Sequence, residues 1–365
     1  MAELAQPALR DIFNPARFRQ VGALIANQYS RFDQKRFLQL VTIGLEPLSL
    51  LQRMRHGTQA LRATLPADYP AALTVLRKVA PRLTGDFVGM MLPDFVGVYG
   101  ADHFEESLEA LHFLTRYSSA EFAIREFLRR DLARTVAIMQ RWSLDPNEHV
   151  RRLASEGSRP RLPWSSRLEA LVADPTPTAV ILENLRADPS LYVRKSVANH
   201  LYDISKDHSD WMLARLGSWD LDHPLTQWIA KRAARSLIKA GYQRALRLFQ
   251  FTGKPATRLS AFRLTPAKLI LGQSLEFSFT LTSTSRKAQR LVIDYRIDYV
   301  KASGGTAPKV FKLREVSLAP GGTLKLRKRQ TLQNFTTRKH YPGRHHLELL
   351  GNGHVLGRKN FLLSL

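Results

Sequence analysis

Up to about position 250, apolar side chains recur at spacings of three and four, as in Phe104, Leu108, Leu111, Phe113 and Leu114. That period buries one stripe of a helix, and the breaks between stripes carry Pro or Gly. Asp-Pro pairs at 145, 174 and 188 are expected to open helices, Asp as cap and Pro in the first turn. At Gly253-Lys254-Pro255-Ala256-Thr257 the texture changes. Alternation takes over in Ser274–Thr282 and Leu291–Tyr299, with turn signals at Ser303-Gly-Gly, Pro320-Gly-Gly and Gly351-Asn-Gly. About seven short strands in the last 108 residues predict an immunoglobulin-like β-sandwich. The expected organisation is multidomain: an all-α helical-repeat unit over 1–252, a linker over 253–257 and an all-β sandwich over 258–365.

The helical part repeats itself. Asp145–Arg152 overlays Asp188–Lys195 at an offset of 43 residues, and Gln227–Lys231 follows Leu191–Lys195 at an offset of 36. Periods of this size predict stacked helix pairs, a solenoid with a concave face. The overlay makes Arg152, Lys195 and Lys231 equivalent, one cation per repeat on one wall. Such a wall suits a polyanion.

Charge sharpens that expectation. Lys and Arg number 55 against 31 Asp and Glu, a formal net charge of +24. Nucleic acid is the expected partner, with an acidic membrane surface as the alternative. No run approaches the roughly 18 apolar residues of a membrane span, and the first residues do not read as a secretory leader. A cytoplasmic, monomeric protein is expected. The chain has no cysteine, which excludes disulfides, Cys-ligated zinc and thiol catalysis. From Lys254 onward there are 21 Lys and Arg against 5 Asp and Glu, so +16 of the charge belongs to the linker and sandwich together. This is either a solvated basic surface or a second grip on phosphates.

The candidate chemistry lies on the repeats. Arg152, Glu156 and Arg159 share one predicted helical stripe, then Lys195, Asn199, Asp203 and Lys206, then Lys231, Arg235 and Lys239. The cations, with Arg161, are candidate DNA-binding residues. Two carboxylates among them are of no use to a wall that only binds phosphate. Glu156 and Asp203 are either salt-bridge partners or groups that stabilise positive charge and orient water. Trp164 follows a loop stiffened by Gly157, Pro160 and Pro163. It reads either as packing or as a flat surface for a sugar or base. Glu121 is well placed at a helix start on electrostatic grounds alone. No phosphate-binding loop, nucleophile elbow or His-Glu metal motif is present, so neither cofactor nor metal is expected.

His149–Trp164 and Asp188–His208 resemble the central repeats of AlkC-type DNA alkylation repair proteins. The resemblance covers most of residues 1–250, and some members carry an immunoglobulin-like C-terminal domain. It implies a HEAT-like solenoid of the AlkC/AlkD superfamily and a bacterial DNA glycosylase acting in base excision repair. The implied substrate is duplex DNA with cationic alkylated bases, 3-methyladenine and 3-methylcytosine, attacked without a base-flipping pocket. The implied catalytic residues are Glu156, Asp203 and Trp164, with Glu121 a further acid. Ser209 stands where the resemblance leads one to expect Pro, outside the implied site. A non-catalytic helical-repeat scaffold that binds nucleic acid remains the competing class.

Overall fold

A computed structural model describes residues 8–251, 253–335 and 338–365. The chain divides into two compact units: Met1–Met212 with Ser218–Ala233, and Leu213–Gly217 with Ala234–Leu365.

The first unit is helical. Helices Glu148–Gly157, Leu191–Ile204 and Pro224–Ala233 pack in succession, each against the next. Val150, Leu153 and Ala154 of one and Val193, Val197 and Leu201 of the next are buried, on the stripes that the apolar period marks. The repeat extends to side-chain detail. Arg151 donates through Nη1 to the carbonyl oxygens of Asp145 and Pro146, both at 2.9 Å. Arg194, its counterpart 43 residues on, donates to those of Asp188 and Pro189 at 2.8 and 2.7 Å.

The Asp-Pro pairs act differently from the expectation. Asp145, Asp174 and Asp188 each accept from the backbone N–H two residues on, at 2.8, 2.9 and 2.8 Å. Each therefore closes an Asx turn ahead of the helix. The N-cap positions are taken by Asn147 and Ser190, so Pro lies outside the first helical turn.

In the second unit eight strands form two sheets. They are β1 (Thr257–Thr265), β2 (Lys268–Ile270), β3 (Ser274–Ser283), β4 (Gln289–Val300), β5 (Thr306–Leu318), β6 (Thr323–Thr331), β7 (Gly343–Gly351) and β8 (His354–Ser364). The sheet orders are β1-β3-β6 and β2-β8-β7-β4-β5. Pairing is antiparallel except where three-residue β2 lies parallel to β8. β2 is the strand beyond the seven expected, too short to show alternation. β3 alternates buried and half-buried positions along its whole length. The two sheets enclose a core of Leu275, Phe277, Tyr295, Ile297, Leu347 and Phe361. His345 is buried and His346 is half-buried, the two pointing to opposite faces of β7.

Helices Arg235–Lys239 and Gln243–Leu248 belong to this unit. The turn at Gly241 and the β7–β8 turn at Gly353 meet backbone to backbone. A Cβ on Gly353 would lie 2.5 Å from the Gly241 Cα, and both residues have positive φ (72° and 78°). Only glycine satisfies both conditions.

Candidate active site

The predicted acids and cations of the first unit form a ladder of alternating charge. Arg152 forms an ion pair with Glu121 and donates through Nη1 to Ser119 Oγ at 2.7 Å. Its Nη2 lies 3.5 Å from Glu156 Oε1. Arg159 donates to the same Glu156 oxygen at 2.7 Å and, through Nε, to Asp203 Oδ2 at 2.8 Å. Lys206 Nζ completes the ladder on Asp203 Oδ1 at 3.1 Å. The order is Glu121, Arg152, Glu156, Arg159, Asp203, Lys206. Glu156, Arg159 and Asp203 are buried, at 6, 6 and 1% exposure, so these pairs are little screened by water.

Burial pushes the Glu156 carboxyl up, but Arg152 and Arg159 beside it outweigh that and hold it below the ordinary carboxylate range. Burial likewise lowers the two guanidinium groups, and the facing carboxylates raise both above their ordinary values.

The stripe geometry is only partly helical. Glu156 lies on the helix Glu148–Gly157, whereas Arg159 lies beyond its end. Gly157 is its last residue, and a Cβ there would sit 2.4 Å from Ile124 Cγ2, so the close approach to Ile124 requires glycine. Asp203 is on the helix Leu191–Ile204 and Lys206 beyond it. On the third stripe the helix stops at Ala233 and a new one starts at Arg235, so Lys231 does not share a helix with Arg235 and Lys239. Lys195 and Lys239 are exposed, and Lys231 and Arg235 are half-buried. Arg161 is held by Asp207 through two bonds of 2.9 and 2.8 Å.

Trp164 is not packed away. It is 62% exposed with φ of 65°, a left-handed conformation rare for a bulky residue. With Glu121, Arg152, Tyr192, His149 and Phe122 it lines a cavity of about 390 Å³. Glu156 and Asp203 do not line it; they stand behind Arg152 and Arg159. The guanidinium of Arg152 lies 5.1 Å from the centre of the Tyr192 ring, which fixes its height over this wall.

The conformation of the Trp164 loop traces to a residue that sequence reading missed. Arg125, in the helix Ile124–Arg130, is fully buried. Its Nη1 donates to the carbonyls of Gly157 and Arg159 at 3.0 and 2.7 Å, and its Nη2 to that of Ser166 at 2.7 Å. One guanidinium thus ties both stems of the 157–166 loop. The available signal was an arginine between Ile124 and Leu128 on an apolar stripe. Among the described residues no group of three or more His, Cys, Asp or Glu could hold a metal ion. No helix there is long and apolar enough to cross a membrane.

Comparison with known proteins places these features in context. Residues 258–365 match a family model described as the C-terminal Ig-like domain of the uncharacterised protein YhaZ. The Bacillus subtilis protein YhaZ, itself described as uncharacterized, is 43% identical over 354 residues, covering 97% of this chain and 98% of that protein. A solved structure of the Pseudomonas fluorescens alkylpurine DNA glycosylase AlkC, bound to DNA containing an abasic site analog, superposes with a TM-score of 0.94. It is 51% identical and covers 98% of this chain and 100% of that one.

Proposed function

This chain belongs to the AlkC family of DNA glycosylases, and from that premise we propose that it excises cationic alkylated bases from duplex DNA by hydrolysing the N-glycosyl bond. The observation that carries the reading is the charge ladder beside the Trp164 cavity. Glu156 is held ionised by two arginines. An ionised carboxylate cannot protonate a leaving base. It can stabilise an oxocarbenium-like sugar and orient the attacking water.

In this reading Glu156 and Asp203 supply the negative charge, and Glu121 is the acid of the ladder nearest the bound nucleotide because it alone of the three lines the cavity. Trp164 offers its exposed face to the deoxyribose. The lesion is attacked at the groove wall and not inside a closed base pocket, which is why the aromatic stands at the surface. Arg152 and Arg159 set the acids. Arg161, Lys195, Lys206, Lys231, Arg235 and Lys239 contact phosphates, and the basic sandwich adds a second grip on the duplex. The protein acts as a monomer in the cytoplasm, on nucleoid DNA, and needs no cofactor.

With Glu156 held ionised, the ladder offers its proton to no leaving base, and leaving groups that already carry positive charge are the expected substrates. Single-turnover excision on matched duplexes tests this. Duplexes with 3-methyladenine or 3-methylcytosine should release base; those with hypoxanthine, uracil or 1,N6-ethenoadenine should not. Comparable rates on charged and neutral lesions would show that a general acid operates. Intact strands on every lesion after alkali would favour the scaffold reading.

A further inference from the structure

One end of the sandwich gathers positive charge and aromatic rings around a cavity. Tyr299 is the penultimate residue of β4, Lys309 and Phe311 lie on β5, and Phe335, Arg338 and His340 lie between β6 and β7. With Gln330 and Thr331 they line a cavity of about 330 Å³, and none of these lining residues is acidic.

His340 is 5% exposed, and its Nδ1 has no hydrogen-bond partner. A buried polar atom without a partner is uncommon enough to need a reason. Its ring meets Tyr299 edge-on at 5.1 Å, and the Arg338 guanidinium lies 4.9 Å from the same Tyr299 centroid. Lys309 Nζ lies 5.2 Å from the Phe311 ring. Phe335 is 53% exposed, a large apolar surface beside the cations. Burial first, then the crowding of Arg338, His345 and Lys309, lowers His340; burial, Arg338 and Lys239 lower Lys309. Cations drawn together without an acid repel one another, and an anion placed among them would relieve that repulsion. The aromatic faces ask for something flat next to that anion.

We propose that this cavity is a nucleoside-phosphate site, with Lys309, Arg338 and His340 on the phosphate and Phe311 and Phe335 against the base. It does not depend on the glycosylase reading. The occupant is either a free mononucleotide or the phosphorylated end nucleotide of a strand, since both present the same group.

The test uses the full-length protein with ring-labelled histidine, His340 being assigned by His340→Gln. Titration with dAMP should move the His340 ring signals and raise its pKa by about one unit, a tenfold preference of the anion for the protonated ring. Arg338, Lys309 and His345 are the charged or titratable groups that bear on this ring. Lys309→Ala and Arg338→Ala should each weaken dAMP at least tenfold by calorimetry, and deoxyadenosine should bind at least tenfold more weakly than dAMP. Both substituted side chains are at least partly exposed, so the fold should survive; Arg338→Lys, which keeps charge without the planar fork, should fall between. A 5′-phosphorylated single strand that displaces dAMP identifies a strand end as the source. Failure of any strand to displace it identifies the free nucleotide. No response of His340 to millimolar dAMP, or equal binding by both alanine variants, overturns the site. Inorganic phosphate binding as tightly as dAMP overturns the assignment of the aromatic wall.

Discussion

Arg125→Met removes the guanidinium that joins the two stems of the Trp164 loop while keeping most of the side-chain volume. Burial pulls the Arg125 pKa down to about 10, so housing the charge costs about 3 kcal/mol. Three charge-assisted bonds to Gly157, Arg159 and Ser166 offset that cost, each contributing about 1.5–3 kcal/mol. Methionine relieves the first quantity, loses the second and leaves the buried carbonyls of Gly157 and Arg159 without this partner. The expected net loss is about 2–4 kcal/mol, read as a lower denaturant midpoint at unchanged slope. Arg125→Lys keeps a charge but not the fork, and should lose a similar amount. If Trp164 acts in excision, the loosened loop should lower the single-turnover rate at least tenfold while binding of undamaged duplex stays within threefold. A double-mutant cycle isolates the route: Arg125→Lys should cost little further excision in a Trp164→Ala background. Full additivity, or a folded Arg125→Met protein with wild-type stability and rate, would refute the argument.

Glu156→Gln and Asp203→Asn should each lower single-turnover excision by about 100- to 1000-fold, the scale for deleting one preorganised electrostatic group, with undamaged-duplex affinity nearly unchanged; wild-type excision would reduce that residue to a salt-bridge partner. Lys195→Ala, at an exposed position, should flatten the slope of log K against log salt by about 0.9 for one lost phosphate contact, whereas a sequence-dependent loss would indicate base readout. Glu156 has a folded-state pKa below its unfolded value, so its contribution is fully present above the unfolded value of about 4.3 and is lost as pH falls through the folded one. Stability should therefore lose the Glu156 contribution only below about pH 4.3, and Glu156→Gln should remove that part of the acid limb; an unchanged limb would assign it to other carboxylates.

The sequence carried the two textures of the chain plainly, because both are periodic. A spacing of three and four and an alternation of two survive without knowledge of what they pack against. Local capping was less legible. Asp145, Asp174 and Asp188 each sit two residues before the N–H they satisfy, and a turn before a helix uses the same residue types as a cap. The charged positions were legible as a set but not as partners. Arg159 and Lys206 lie past helix ends, so helical spacing alone could not show that they meet Asp203. Arg125 was hidden for a different reason. Its partners are three backbone carbonyls 32 to 41 residues away, and carbonyls leave no mark in a sequence.

The ladder also bears on why cations surround the proposed catalytic acids. A lone carboxylate as buried as Glu156 would take up a proton to escape its desolvation cost. Arg159 answers that cost for both acids, bonding Glu156 through Nη1 and Asp203 through Nε. The same pairing lowers the negative potential that the acids present. A neutral substrate gains little from what remains. In the proposed reaction a sugar cation forming beside the ladder gains at the transition state more than in the ground state, which is the condition for catalysis. The arginines thus hold Glu156 ionised at the expense of field strength. That exchange suits a reaction whose leaving group brings its own positive charge, and it is the physical reason to expect narrow selectivity from a site with an exposed aromatic beside a carboxylate held ionised.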